Sequence, residues 1–112
     1  MKRGELWTAS GGPDYAGKPR PVLIVQDDHF DATGSITICP LTSHAIDASL
    51  FRPAITPSEA NGLREPSFAM IDKIATVPRA RLGNRVGIMR ATAMAPINQA
   101  MLVFLGLAGV RG

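Results

Sequence analysis

At 112 residues the chain has room for one modest core and not for two, and its 46% hydrophobic against 19% charged content excludes a disordered segment. Twelve Lys+Arg against nine Asp+Glu leave a net charge of +3, which leans toward polyanions but falls short of the dense basic face of a dedicated DNA binder. Aromatic residues at 5% argue against an extensive base-stacking platform, while nine arginines among the twelve cations suit fork-like recognition of phosphate or carboxylate.

Met1 to Trp7 holds no apolar run fit for a signal peptide, and the longest apolar run, Ala100 to Leu105, is far too short to span a membrane. Gly4 to Thr8 reads as a first strand, with Leu6 on one face and Glu5 and Trp7 on the other. Ala9 to Lys18 carries Gly11-Gly12-Pro13 and Gly17 and reads as a long loop with hinge-like backbone freedom. Pro19 and Pro21 then bracket a single arginine. A residue before proline is pushed out of the helical region, so Lys18 and Arg20 are extended. Proline is tolerated at a strand start, and the apolar run Pro21 to Gln26 reads as a strand buried on both faces. Arg20 is therefore mounted at the entrance of a stiff strand, an always-charged guanidinium with a fixed origin.

Asp27 to Asp31 reads as a turn or a single helical turn, and Gly34 leads into a strand over Ser35 to Leu41. The only cysteine, Cys39, stands among Ile36, Ile38 and Leu41, so it reads as a core residue of a chain suited to a reducing cytoplasm. One cysteine and two distant histidines give no metal-ligand spacing, so neither a metal nor another cofactor is expected. Thr42 to Ser49 is a polar loop, Leu50 to Ile55 a weaker strand, and Asn61-Gly62 a turn signal. Ser67 to Ile74 alternates as one further strand, with Phe68, Met70 and Asp72 on one side. A single turn over Pro78 to Leu82 precedes a last strand, Asn84 to Arg90, in which Val86 and Ile88 share a face.

A helix follows, starting at Thr92 or Ala93 with Pro96 in or near its first turn. Ile97, Ala100, Met101, Phe104 and Leu105 make an apolar stripe, and Leu102, Val103 and Leu107 make the last turns apolar nearly all round. Such a helix on so small a body needs a second covering surface, and homodimerisation is the economical one. Five or six short strands with one C-terminal helix, and no repeats, imply a mainly β fold: residues 1–112 as a single small, mostly antiparallel SH3-like barrel.

Several segments, taken in order, carry a resemblance. Arg3-Gly4-Glu5-Leu6-Trp7, Gly17-Lys18-Pro19-Arg20-Pro21-Val22-Leu23-Ile24-Val25 and Cys39-Pro40-Leu41-Thr42-Ser43 are followed by Asn61-Gly62-Leu63, Ser67-Phe68-Ala69-Met70-Ile71-Asp72-Lys73-Ile74 and Arg81-Leu82-Gly83. Together they resemble the MazF/PemK family of toxin endoribonucleases over nearly the whole chain. The resemblance implies an SH3-like barrel dimer that cuts single-stranded RNA without metal and is paired with an antitoxin occupying its site. It places the catalytic arginine on Arg20, the catalytic threonine on Thr42 and an aspartate used by some members on Asp72. Two departures stand out. Some members carry an arginine two residues before that aspartate, where this chain has Met70; others carry a glutamate in the first loop, where Asp14 and Tyr15 stand in a shorter loop. Arg20 and Thr42 are thus the firmer pair.

Their chemistry can be argued without the family. Internal RNA cleavage uses the 2′-hydroxyl as nucleophile, so the protein has only to stabilise charge gathering on the phosphate oxygens. A positioned guanidinium and a hydroxyl donor can do that, but arginine, with a pKa above about 12, cannot take the proton. Asp72 and His44 are candidate acceptors, and Asp14 sits on a loop able to close over the site. Asp72 reads equally as a structural carboxylate, His44 as an exposed loop residue and Thr42-Ser43 as local caps. In the loop reading, Lys18 contacts phosphate, Tyr15 stacks on a base, and Ser43 and His44 line the RNA path. Two other classes share the composition: a CcdB-like protein-binding gyrase toxin, and a non-catalytic SH3-like adaptor. The adaptor would need an exposed aromatic groove, against which stand six aromatics expected mostly inside strands.

Overall fold

The apolar run after Arg20 becomes the middle of a curled antiparallel sheet. The computed structural model describes residues 1–10, 18–47 and 50–109. Its strands are β1 (Glu5–Ala9), β2 (Arg20–Ile24), β3 (Ser35–Thr42), β4 (Ala54–Ile55), β5 (Ser67–Ala69), β6 (Ala75–Pro78) and β7 (Leu82–Ile88), followed by helix α1 (Ala91–Phe104). The strand order is β4-β5-β3-β2-β1-β7, with β6 also on β3. This is the mainly β, SH3-like arrangement with one C-terminal helix expected above.

Alternation along β2 buries both faces of the sheet. Leu23 joins Leu6, Cys39 and Leu41 in a core completed by Ile71, Met94, Ile97 and Ala100, while Val22 and Ile24 join Ile36, Ile38, Val77 and Leu82 in a second one. Leu6, Leu23, Ile24, Ile36, Ile38, Ile71 and Ile97 are fully buried, each worth about 1.5–3 kcal/mol of apolar burial. Cys39 lies within the core, and burial pushes its thiol up to about 12, with the Asp72 charge adding to the shift. A thiol so rarely ionised is inert packing material.

The two ends of the strand order meet at a seam. The Ile88 N–H donates to the Ala60 carbonyl at 2.9 Å, so the segment after β4 lies against β7. Asn61, 4% exposed, anchors that segment. Its Oδ1 accepts from the Ser58 and Leu63 N–H groups at 2.9 and 3.0 Å, and its Nδ2 donates to the Thr56 carbonyl at 3.0 Å. Gly62 has φ +69°, a conformation that favours glycine, and a Cβ on Gly87 would overlap the Asn61 carbonyl.

Several boundaries differ from the sequence expectation. Of the strand expected over Ser67 to Ile74 only β5 (Ser67–Ala69) forms, and a 3-10 turn at Ile71–Lys73 splits it from β6 (Ala75–Pro78), a further strand the sequence reading did not anticipate. β3 causes the split. Its first half pairs with β6 (Ser35↔Pro78 to Ile38↔Ala75) and its end with β5 (Leu41↔Ala69, Thr42↔Phe68). Pro40 faces the changeover: its carbonyl accepts from the Met70 N–H at 2.9 Å, and the N–H it lacks would have needed a partner at the same gap. Asp72 therefore sits on a turn and not on a strand face with Phe68 and Met70. Only Ala54–Ile55 of the expected Leu50 to Ile55 strand is extended in the sheet, and the last strand starts at Leu82 and ends at Ile88. α1 begins at Ala91, so Pro96 falls in its second turn, where the missing N–H leaves the carbonyl of exposed Thr92 to water. Of the four phenylalanines only Phe68 lies in a strand, and Phe30 and Phe104 are 61% and 47% exposed.

Candidate nucleic-acid interface

β2 opens on Arg20, and the prolines on either side leave its exposed side chain on an extended backbone at the rim of the sheet. The β2–β3 register runs Ile24↔Ile38, Leu23↔Cys39, Val22↔Pro40. Continuing it by two residues on each strand sets Arg20 across from Thr42, and directly opposed residues project to the same face. Both line two adjoining depressions. One, of about 270 Å³, is walled by Pro40, Met70, Lys73 and Ala75. The other, of about 470 Å³, is walled by Thr8, Ser43, Leu63, Arg64 and Val86 among others. Arg20 and Thr42 stand where the two meet.

At the junction Arg20 and Thr42 are disposed to donate, while the exposed Glu65 carboxylate also lines the larger depression. Among the described residues Arg20 forms no ion pair. The Thr42 Oγ1 accepts from the His44 N–H at 3.1 Å, which makes the local cap expected of it and leaves its own proton to give elsewhere. Lys18, Ser43 and His44 are exposed, and Ser43 lines the larger depression. Tyr15 and Asp14, with the rest of 11–17, lie outside the described residues.

Asp72 is placed differently. It lines neither depression and is gripped by Arg52, whose Nε and Nη2 donate to its two carboxylate oxygens at 3.0 and 2.9 Å. The Arg52 hydrogen bonds hold its carboxyl below the usual carboxylate range against an opposing effect of burial. Both carboxylate oxygens of Asp72 are thus engaged by Arg52, with a backbone hydrogen bond of its own residue adding to the shift. Lys73 and Arg64 are groove cations that sequence reasoning passed over. Neither has a local signal, since both come to the groove through turns whose position depends on β3 and on the Asn61 anchor.

An open guanidinium, a hydroxyl donor and further cations at one rim of a barrel make a surface of the kind that attracts anions. Over residues 2–105 the chain matches the family described as PemK-like, MazF-like toxin of type II toxin-antitoxin system, and it belongs to that family. It is 52% identical over 109 residues to the probable endoribonuclease MazF of Mycolicibacterium smegmatis, covering 97% of this chain and 100% of that protein. It is 28% identical to the endoribonuclease MazF9 of Mycobacterium tuberculosis, with 96% and 98% covered. Among solved structures it is similar in fold to an endoribonuclease in complex with its cognate antitoxin from Mycobacterial species, at TM-score 0.82 and 23% identity over 98% of this chain and 99% of that one.

Proposed function

We infer that the chain is the toxin of a toxin–antitoxin pair, an endoribonuclease that cuts single-stranded RNA where Arg20 and Thr42 meet. The observation that carries this reading is that both residues line the same two depressions, at the ends of the paired strands β2 and β3, within a chain 52% identical to a probable endoribonuclease. In the reaction, the substrate's 2′-hydroxyl loses its proton to solvent and attacks the adjacent phosphorus, closing a 2′,3′-cyclic phosphate as the bond to the next nucleotide's 5′-oxygen breaks and that oxygen leaves as a hydroxyl. Arg20 holds the non-bridging oxygens in a fork as they gain charge, and Thr42 donates its free proton to the same group. The two depressions take the nucleosides on either side of the cut, with Lys18, Ser43 and His44 along the path and Tyr15 available to stack. Neither Arg20 nor Thr42 is asked to accept a proton.

An acidic segment of the cognate antitoxin lying across Arg20 would occupy the same ground as RNA, so the two exclude each other. The relatives are named endoribonucleases, and that weighs against the gyrase-poison and adaptor readings. No helix among the described residues is long and apolar enough to cross a membrane, and the toxin works in the cytoplasm, where its RNA is. The test is to incubate purified protein with mixed-sequence single-stranded RNA in excess chelator. Cleavage leaving 2′,3′-cyclic phosphate ends is expected, and intact RNA overturns the reading.

The end of α1 supports homodimerisation. Phe104, Leu105 and Leu107 are 47%, 58% and 73% exposed, beside Leu50 at 58%. Sedimentation at micromolar concentration is expected to give twice the 11.9 kDa chain mass, and a lone 11.9 kDa species rejects the dimer.

A further inference from the structure

Lys73 lines the smaller depression together with Arg20 and Thr42, and among the described residues it forms no ion pair. Its place there is held from several sides. It ends the 3-10 turn Ile71–Lys73, in which Ile71 is buried. The Ile71 N–H donates to the Phe51 carbonyl at 3.1 Å, the Met70 N–H to Pro40, and the Lys73 N–H to Met70 at 2.9 Å. The Arg52 fork then closes on Asp72, the residue before Lys73. That fork has an electrostatic consequence as well as a mechanical one. Both oxygens of the carboxylate nearest in sequence to Lys73 are turned to Arg52, so the ammonium keeps its charge for the groove.

We propose that Lys73 is a second substrate cation of the groove, contacting an RNA phosphate next to the scissile one, and that Asp72 and Arg52 are the positioning residues that hold it there. The proposal rests on the nuclease reading and deepens it. Lysine is a compact point charge on a flexible stem, suited to a phosphate whose geometry does not change in the reaction, whereas Arg20's planar fork suits the phosphate that does. Lys73 therefore acts on substrate binding, in ground and transition state alike, and not on the chemical step. Asp72, on this view, works through Lys73 and takes no proton.

The experiment measures binding of a mixed-sequence 2′-O-methyl RNA oligonucleotide, which cannot be cut, across a salt series, alongside steady-state cleavage of the matching RNA. For Lys73→Gln, affinity is expected to fall about threefold to tenfold. The slope of log affinity against log salt should flatten by roughly 0.7, the single-strand value for one lost phosphate contact. Lys73→Arg should restore the slope. Asp72→Asn and Arg52→Gln should raise KM in the same direction with kcat little changed. An unchanged salt slope in Lys73→Gln overturns the phosphate contact. A loss of kcat of about a hundredfold in Asp72→Asn at unchanged affinity would make that carboxylate a proton acceptor and overturn its positioning role. Because binding is read on an uncleavable strand, a wild-type protein that cuts no RNA sinks the nuclease reading without touching the result for Lys73.

Discussion

The seam at Asn61 and Gly87 and the groove at Arg20 and Thr42 are both built from polar residues at strand ends and turns, and their hydrogen bonding is opposite. At the seam the buried amide of Asn61 has partners for both ends, and β7 approaches so closely that Gly87 has no space for a Cβ. At the groove, an exposed guanidinium is left to solvent, and a hydroxyl keeps its proton with depressions on both sides. A buried polar group without a partner is costly, while an exposed cation is solvated at little cost and remains available to a ligand. Stability and activity should therefore separate cleanly between the two regions.

The sharpest way to break that separation is at the seam. Gly87→Ala pushes a methyl group into the backbone of Asn61, and nothing there is a flexible side-chain end that could swing aside. A loss of about 3 kcal/mol in urea unfolding is expected, with cleavage per folded molecule falling far less than in the Arg20 variants, because the seam reaches only one wall of the larger depression. A fully stable Gly87→Ala protein would mean that the seam is looser than described.

Next in size is the converse change in the groove. Arg20→Ala and Arg20→Lys should each lose on the order of a hundredfold in cleavage rate, since lysine keeps the charge and not the fork. Unfolding free energy should stay within about 0.5 kcal/mol of wild type, as for exposed residues generally. Near-normal cleavage by Arg20→Lys would remove the fork from the mechanism.

The smallest effect lies between the two regions, at the Arg52–Asp72 pair. Because folding lowers the Asp72 pKa beneath its ordinary 3.8, the pair contributes stability above that pH and loses it as pH falls through the folded value. The Asp72 side chain is 25% exposed, so water screens the pair and the contribution is modest. The difference in Tm between wild type and Asp72→Asn should be present at neutral pH and shrink below pH 3.8. A difference that grows on acidification has the wrong sign and would show that the pair is not formed.

Much of this molecule was legible before folding, for local reasons. β2 follows from an unbroken apolar run after proline, Cys39 from its apolar neighbours, and the 3-10 turn at Arg79–Arg81 from Pro78. Asn61-Gly62 was readable as a turn, though not as the anchor of the seam. The early end of the expected Ser67 to Ile74 strand at Ala69, and the separate strand β6 after it, were not readable. The alternation of the expected strand continues through Met70, and only β3, with Pro40 at the changeover, dictates where one pairing ends and the next begins. Pro96 likewise read as a near-terminal helix residue, yet α1 holds it a turn later, four residues after exposed Thr92.

The candidate site divides along the same line. By itself the sequence determined that Arg20 stands extended at a strand entrance, since two prolines restrict the backbone next to them whatever else the chain does. It also determined that Thr42 opens a polar loop at the end of an apolar strand. The tertiary structure decided what those residues meet. Arg20 and Thr42 are brought to one groove by the β2–β3 pairing, Asp72 is claimed by Arg52 from twenty residues away, and Lys73 is delivered to the groove by a turn clamped on two other segments. The physical reason is range. Backbone restriction acts between neighbours and is written locally, whereas pairing register and charge partnership depend on which distant segments a shared core draws together.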